Sequence, residues 1–393
     1  MAVTTDELRT GVAELSAIHR PSASEGERRA AEWVVSRFTE LGVAARIEPE
    51  RVHGEYWSPL ALLTGAGALA GIAARGRRSL LAASVGALAA GAIWDDLTAG
   101  HRHFRRRLPQ RTAYNVVAEL GPSDAKRTVV LVAHHDAAHS GLIFHPGIPL
   151  FVWRNFPQAI ERNDTSPPLM FPVLAGPALV ALGATLGSKR LNTAGTVLAA
   201  GSAAAFANIG ASEVVPGAND NVTGVIGLLE VARALVERPA TDLRVMVVST
   251  GSEESILEGM QAFGRRHFPS LARDDTFVLN VDTIGSPHLT AIRGEGMLKM
   301  YDYPQAVLDL VDGTANELDV FLFPKLRLRN ATDGLVALKA GYRCACIGSV
   351  TEYKAPANYH WRTDVAENVR YDTCSDGIRL IEAIVRRLDE RWI

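Results

Sequence analysis

The chain has 393 residues, 47% apolar and 21% charged, enough for one large α/β domain or two smaller ones around a substantial core. A net charge of -2 and an isoelectric point near 6.6 speak for no nucleic-acid partner. Three cysteines, Cys344, Cys346 and Cys374, do not suggest a disulfide framework, and Cys344 and Cys346 sit in the apolar run of a core strand.

Met1 to Glu7 carry no basic stretch followed by an apolar one, so no signal peptide is expected. Residues from about 5 to 42 read as two helices. The break is Arg20-Pro21-Ser22-Ala23-Ser24, where proline stops one helix and serine offers a cap to the next. Residues 57–98 change character. Leu60 to Ala74 is apolar and rich in alanine and glycine, Arg75-Gly76-Arg77-Arg78 interrupts, and Leu80 to Trp94 is apolar again. The pattern returns in Leu169 to Leu186, Ser188-Lys189-Arg190, and Ala194 to Ile209.

Each pair reads as a helical hairpin with a basic tip. Its arms, at roughly 16 to 18 residues, span about 25 Å against a bilayer core of about 30 Å. Small residues suit close helix packing in lipid, and arms without charge favour insertion. Buried hairpins of a soluble domain are the alternative. Two hairpins return the chain to the side it started from. The expectation is a multi-pass membrane protein with its hydrophilic part on the cytoplasmic side and the lipid bilayer as partner. The run His101-Arg102-His103-Phe104-Arg105-Arg106-Arg107 either meets anionic head groups or is a solvated loop.

Strands are expected at Tyr114 to Leu120, Thr128 to Ala133, Leu243 to Ser249, Thr276 to Val281 and Arg343 to Gly348. Helices are expected at about Glu254 to Arg266, Tyr303 to Ala315 and Asp372 to Arg391. Strands alternating with helices imply an α/β sheet, where sites gather outside the strand ends.

Several acidic and imidazole side chains fall at those ends. His134 closes the second strand, and Asp136, two residues on, points to the same side in extended geometry, where it can fix the imidazole tautomer. Asp220 lies between the turn at Gly217 and a helix with the apolar stripe Val225, Leu228, Leu229, Ala232 and Leu235; an N-cap is its plain alternative. Glu253 and Glu254 follow a strand at the head of a helix, where the dipole alone would favour them. Asp282 ends a strand, and His360 stands in Asn358-Tyr359-His360-Trp361. Singly each is ordinary. Jointly, carboxylates and two histidines after strands match a pair of zinc-like ions sharing a bridge.

His134-His135-Asp136, Gly217-Ala218-Asn219-Asp220-Asn221, Glu253-Glu254, Asn280-Val281-Asp282 and Tyr359-His360 resemble, in order, the five motifs of the M28 family of zinc metallopeptidases, which includes bacterial and leucyl-type aminopeptidases. Ile18 to Gly26 resembles the family's N-terminal helix break. The resemblance implies one zinc-exopeptidase-like peptidase domain, a central mixed β-sheet flanked by helices, assembled from residues 1–56, 99–165 and 211–393. Residues 57–98 and 166–210 would then be inserted hydrophobic helical hairpins. It further implies that Asp220 bridges two zinc ions, that His134 and Asp282 complete one shell and Glu254 and His360 the other. Glu253 would be the general base, and Asp136 would orient His134. The activity the resemblance implies is exopeptidase, above all aminopeptidase, on a peptide substrate; the apolar hairpins add the expectation of membrane association.

Two departures stand out. Thr332-Asp333-Gly334 replaces a Ser-Asp-His that many members have, and the second hairpin separates His134 from Asp220 where the family has a short loop. Rival readings are a glutaminyl cyclase, resembling a one-zinc version of the fold, and an inactive membrane scaffold. Intact Asp220, Glu253, Glu254, Asp282 and His360 speak against the scaffold. Asn221-Val222-Thr223 fits a glycosylation acceptor, but a glycan there would block the site.

Overall fold

The computed structural model describes residues 4–393. Its centre is a mixed sheet. The chain forms β1 (Ala45–Val52), β2 (Arg111–Leu120), β3 (Arg127–His134), β4 (Leu243–Thr250), β5 (Thr276–Asp282) and β6 (His288–Ala291). Three two-residue strands, β7 (Gly294–Glu295), β8 (Tyr301–Asp302) and β9 (Arg327–Leu328), make a small second sheet, and β10 (Arg343–Val350) returns to the first. The seven strands of the main sheet lie in the order β1-β2-β4-β3-β5-β10-β6. β4, β3, β5 and β10 are parallel to their neighbours in that row, so their carboxyl ends share one edge; β2 and β6 run antiparallel to them. His134 is level with Thr250, and Asp282 with Gly348, so two of the expected ligand positions end adjacent parallel strands.

The helices follow from capping and periodicity. Thr4 caps α1 (Thr5–Ser16) in a capping box with Glu7, and Ser24 caps α2 (Glu25–Glu40) as its sequence suggests. Next come α3 (Trp57–Ala74), α4 (Leu80–Leu97), the short α5 (Gly147–Asn155) and α6 (Pro157–Glu161), then α7 (Phe171–Leu186), α8 (Lys189–Ala211) and α9 (Thr223–Glu237). The C-terminal half adds α10 (Glu258–His267), α11 (Gln305–Glu317), α12 (Gly334–Lys339) and α13 (Tyr371–Glu390). Alternate residues of β3 feed opposite faces of the sheet. Leu131 joins Leu15, Val34, Val231 and Ile381 on one side, and Val130 and Val132 join Met260 and Phe263 on the other.

Three local outcomes differ from the sequence reading. β1 was not expected: its Arg, Glu and Pro49 mask an edge strand, where charge and proline are tolerated because one side of the ladder is open. α10 begins at Glu258, not Glu254, because left-handed backbone at Ser252, Ile256 and Leu257 holds the preceding residues in a turn. Lys189 and Arg190 lie inside α8, whose cap is Ser188, so they form its first turn and not a loop.

α3, α4, α7 and α8 pack as one four-helix bundle, with α3 against α4 and α8 and α7 against α4 and α8. Close approach explains several of their glycines, though not Gly65, Gly91 or Gly201, which meet open space. A Cβ on Gly195 would stand 2.6 Å from Val180 N, and one on Gly176 the same distance from Ala199 N. Two polar side chains inside donate to helix backbone: Thr64 Oγ1 to Leu60 O at 2.6 Å and Asn192 Nδ2 to Gly71 O at 2.8 Å. Three of the four, α3, α4 and α8, are long and apolar enough to cross a membrane; α7 is shorter.

The arginine run after α4 turns inward in part, against both readings entertained for it. Arg105 is buried and holds Asp96, at the end of α4, with Nε and Nη2 at 2.9 and 2.6 Å. Its Nη1 donates to Ser255 O, and Arg102, also buried, donates to Ile256 O. Arg106 and Arg107 stay exposed.

Candidate metal centre

The carboxyl edge of β3, β4 and β5 gathers the residues that the sequence singles out. His134 ends β3 with Nε2 3.2 Å from Asp220 Oδ1 and 3.9 Å from Glu253 Oε2. Its Nδ1 lies 3.4 Å from Asp136 Oδ1. His360 faces the other side of the same aspartate, with Nε2 3.3 Å from Asp220 Oδ2 and 3.1 Å from Glu254 Oε2. The two imidazoles thus stand on opposite oxygens of Asp220. His134, Asp220 and Glu254 each offer a ligand atom within 4.8 Å of the others, and all three are buried. Asp282, at the end of β5, is close enough to interact electrostatically with His134, Asp220 and Glu254. His135 faces away: its Nδ1 meets Ser249 Oγ at 2.8 Å, and burial pushes its imidazole down to about 4, so it stays neutral.

Each ligand-like group is placed by specific backbone contacts. Gly217 adopts a left-handed φ of 59° and Asp220 and Asn221 leave helical geometry, so the chain kinks just before α9. Asn221, not Asp220, serves the helix end: its Oδ1 accepts from Gly224 N at 3.1 Å and Thr283 N at 3.0 Å, and its Nδ2 donates to Val281 O at 2.8 Å. Asn219 Oδ1 accepts from Gly285 N at 2.8 Å. The two asparagines therefore tie the Asp220 turn to the end of β5, beside Asp282. That leaves the Asp220 carboxylate free of capping and aimed at the histidines.

Asp136 is the hub on the other side. It accepts from Ser22 Oγ at 2.6 Å, Glu253 N at 3.0 Å and Glu254 N at 3.1 Å. One carboxylate thus fixes His134 and the turn bearing both glutamates. Below that turn, Glu27 accepts from Ser252 N and Oγ, both at 2.8 Å. Asp364 accepts from Asn219 N at 2.8 Å and Asp220 N at 3.1 Å. Arg20, fully buried, donates to His135 O, Pro216 O and Gly217 O at 2.7, 2.6 and 2.8 Å. The sequence reading missed Arg20, Glu27, Asn219, Asn221 and Asp364 as supports. The asparagines flanking Asp220 were the one visible signal, since short amides commonly bind nearby backbone.

The electrostatics ask for cations. Burial raises the Asp220 carboxyl, but His134 and His360 outweigh it and hold it well below its ordinary range. Burial also pushes Glu253 well above the usual carboxylate range, raises Glu254, and carries Asp282 up to about 8, with neighbouring carboxylates adding to each. Burial lowers His360, yet Glu254 and Asp220 lift it to about 10. Raised carboxyls beside two imidazoles are the signature of excess negative potential. Asp220 Oδ2, Glu254 Oε1 and the Nδ1 atoms of His134 and His360 are buried without a well-formed hydrogen bond.

Both features fit zinc. Ligands about 2.0 to 2.1 Å from a tetrahedral ion stand about 3.3 to 3.4 Å apart, close to the imidazole–carboxylate separations found here. The Thr332-Asp333-Gly334 departure leaves Asp333 buried, accepting from Thr250 Oγ1, with burial pushing it up to about 7.

Residues 203–385 match the sequence model of peptidase family M28. No curated protein matches the chain. Among solved structures, a Zn-dependent exopeptidase from Parabacteroides distasonis superposes with a TM-score of 0.56 at 12% identity, covering 97% of each chain. An aminopeptidase from Aneurinibacillus sp. strain AM-1 gives 0.56 at 13%, covering 98% of this chain and 94% of its own. A glutaminyl cyclase from Tannerella forsythia also gives 0.56 at 13%, covering 98% and 99%. At such identities the likeness is one of fold.

Proposed function

We propose that this chain, whose residues 203–385 match peptidase family M28, is a membrane-anchored aminopeptidase that uses two zinc ions. The observation that carries the reading is the placement of His134 and His360 on opposite oxygens of Asp220. In this proposal Asp220, His134 and Asp282 would hold one ion, and Asp220, Glu254 and His360 the other. Bound there, zinc would lower the pKa of water and polarise the scissile carbonyl. Glu253, no ligand in this scheme, is the general base: its carboxylate takes the proton from water and passes it to the leaving amine. Burial raises the Glu253 carboxyl, and its ionisation at neutral pH would rest on bound cations nearby. Asp136 holds the His134 ring so that Nε2 faces the bridge.

We further assign residues 1–56, 99–165 and 211–393 to the peptidase domain, and 57–98 and 166–210 to a membrane anchor. Support comes from the apolar, outward-facing surfaces of α3, α4 and α8. The test is zinc content together with hydrolysis of aminoacyl anilides. Two zinc ions per chain and anilide release are expected; a zinc-free chain, or full activity in Glu253→Gln, overturns the assignment.

The glutaminyl cyclase fold fits equally well, which keeps a second reading in view. Near one zinc per chain, with cyclisation of N-terminal glutamine and no hydrolysis, is the outcome that favours it.

A further inference from the structure

The 141–165 segment between β3 and α7 joins two observations that the peptidase reading does not use. One is its composition. α5 reads Gly-Ile-Pro-Leu-Phe-Val-Trp-Arg-Asn, apolar on every side through Trp153, yet none of its residues is buried. Phe151 is 59% exposed and Leu142, just upstream, 69%; Ile143, Ile148 and Phe156 are exposed as well. A helix that is hydrophobic all round belongs inside protein or against lipid, and a contiguous apolar patch marks an interaction surface.

The other observation is its place. Leu142 N donates to Asn208 Oδ1 at 2.8 Å, and a Cβ on Gly141 would stand 2.8 Å from Ile209 Cγ1, both at the domain end of α8. Trp57, the first residue of α3, lies 4.3 Å from the His139 ring. The segment therefore leaves the domain at the level where two of the apolar helices enter it. From there it reaches the metal centre directly. The Phe144 ring lies 4.6 Å from the His360 ring and 5.8 Å from Tyr359, and His145 lies 4.9 Å from Trp361. Lys354 Nζ anchors the far side by donating to Ile160 O at 2.8 Å.

We propose that Leu142–Phe156 lies in the surface of the bilayer that the bundle spans, so that the metal centre opens at the membrane and its substrate class is the membrane-bound peptide with a free N-terminus. The proposal rests on the membrane reading of the bundle. Lipid is the occupant because the segment leaves the domain beside Trp57 and Asn208, where α3 and α8, with exposed apolar residues such as Leu62 and Val197, enter it. Tryptophan and arginine side by side at Trp153 and Arg154 also suit an aqueous–lipid boundary. A bulky ring such as Phe144 wedged beside His360 then links the depth of the segment to access at the site.

The natural cysteines are all buried, so an introduced one can be labelled selectively. The full chain is placed in lipid nanodiscs carrying nitroxide at shallow or deep acyl positions, with a fluorophore at Phe151→Cys, Leu88→Cys or Glu40→Cys. Leu88 is 74% exposed on the bundle, and Glu40 is exposed at the end of α2, which packs on β1 and β2. Expected is severalfold stronger quenching at Phe151 than at Glu40 by the shallow nitroxide, and quenching at Leu88 by the deep one. Quenching at Leu88 with none above the Glu40 level at Phe151 overturns the proposal and leaves the bundle reading intact. No quenching at Leu88 overturns both.

In parallel, Phe151→Glu should lower turnover of an acyl-anchored peptide on vesicles more than tenfold, while hydrolysis of a soluble aminoacyl anilide changes less than twofold. Equal loss on both substrates counts against the proposal.

Discussion

Arg105 holds both oxygens of Asp96 and donates a further N–H to Ser255 O, one residue past Glu254. The end of α4 is thereby fastened to the turn that carries the proposed base. Arg105→Ala leaves the buried Asp96 with only Arg102 Nε, 3.8 Å from its Oδ1, and breaking such a buried pair typically costs about 3 to 5 kcal/mol. We expect a matching drop in denaturant stability, and a fall in kcat exceeding the fall in zinc content. Unchanged kcat in a folded variant would show that the fastening is structural only.

Glu253→Gln removes the proton acceptor but keeps the shape of the turn. General-base groups contribute about 10²- to 10⁴-fold. The expected result is that loss in kcat with zinc content unchanged, read by metal analysis and single-turnover hydrolysis.

Asn221→Ala removes the cap of α9 and the link to Val281, Thr283 and Gly224. A lost cap costs about 1 kcal/mol. We expect that loss in stability with a weaker zinc affinity, since the turn bearing Asp220 is no longer tied to β5. Asp220→Asn should abolish zinc binding outright. Retention of both ions in Asp220→Asn, by elemental analysis, would remove it as the bridge.

Glu295 offers a pH test outside the proposed ligand set. Burial pushes its carboxyl from 4.5 up to about 7, despite hydrogen bonds from Tyr303 and Thr332. The folded protein keeps a proton that the unfolded chain releases above its ordinary pKa. The stability from this group is therefore complete below about pH 4.5 and lost as pH rises through about 7, with a slope of up to about 1.4 kcal/mol per unit. Glu295→Gln should flatten the fall in denaturation midpoint across that window; an unaltered slope assigns the pH dependence to other groups.

Much of this architecture was legible because it is written in runs. The buried strands β3, β4 and β5 are continuous apolar stretches, and His134 and Asp282 are conspicuous as polar residues that end them. The four apolar helices were visible for the same reason, but their assembly into one bundle was not, since pairing of α3 with α8 depends on where the sheet brings residues 57 and 211 together. β1 was hidden by the charges an edge strand tolerates. The start of α10 was hidden by left-handed residues such as Ile256 and Leu257, which carry no glycine to announce them. Supports such as Arg20 and Asp364 act through backbone groups nearly 200 and 145 positions away, and no local pattern encodes such a partner.

The packing of α3 against α8 also sets an order of assembly on the ribosome. The bundle cannot close until Ala211 has been made, and Asp220 follows only a few residues later. Bundle closure and completion of the histidine-facing turn thus fall within the same short interval of synthesis. Until then, a nascent chain that already carries His134 has neither a closed bundle nor the Asp220 carboxylate that faces it, so the two do not come together ahead of the bundle.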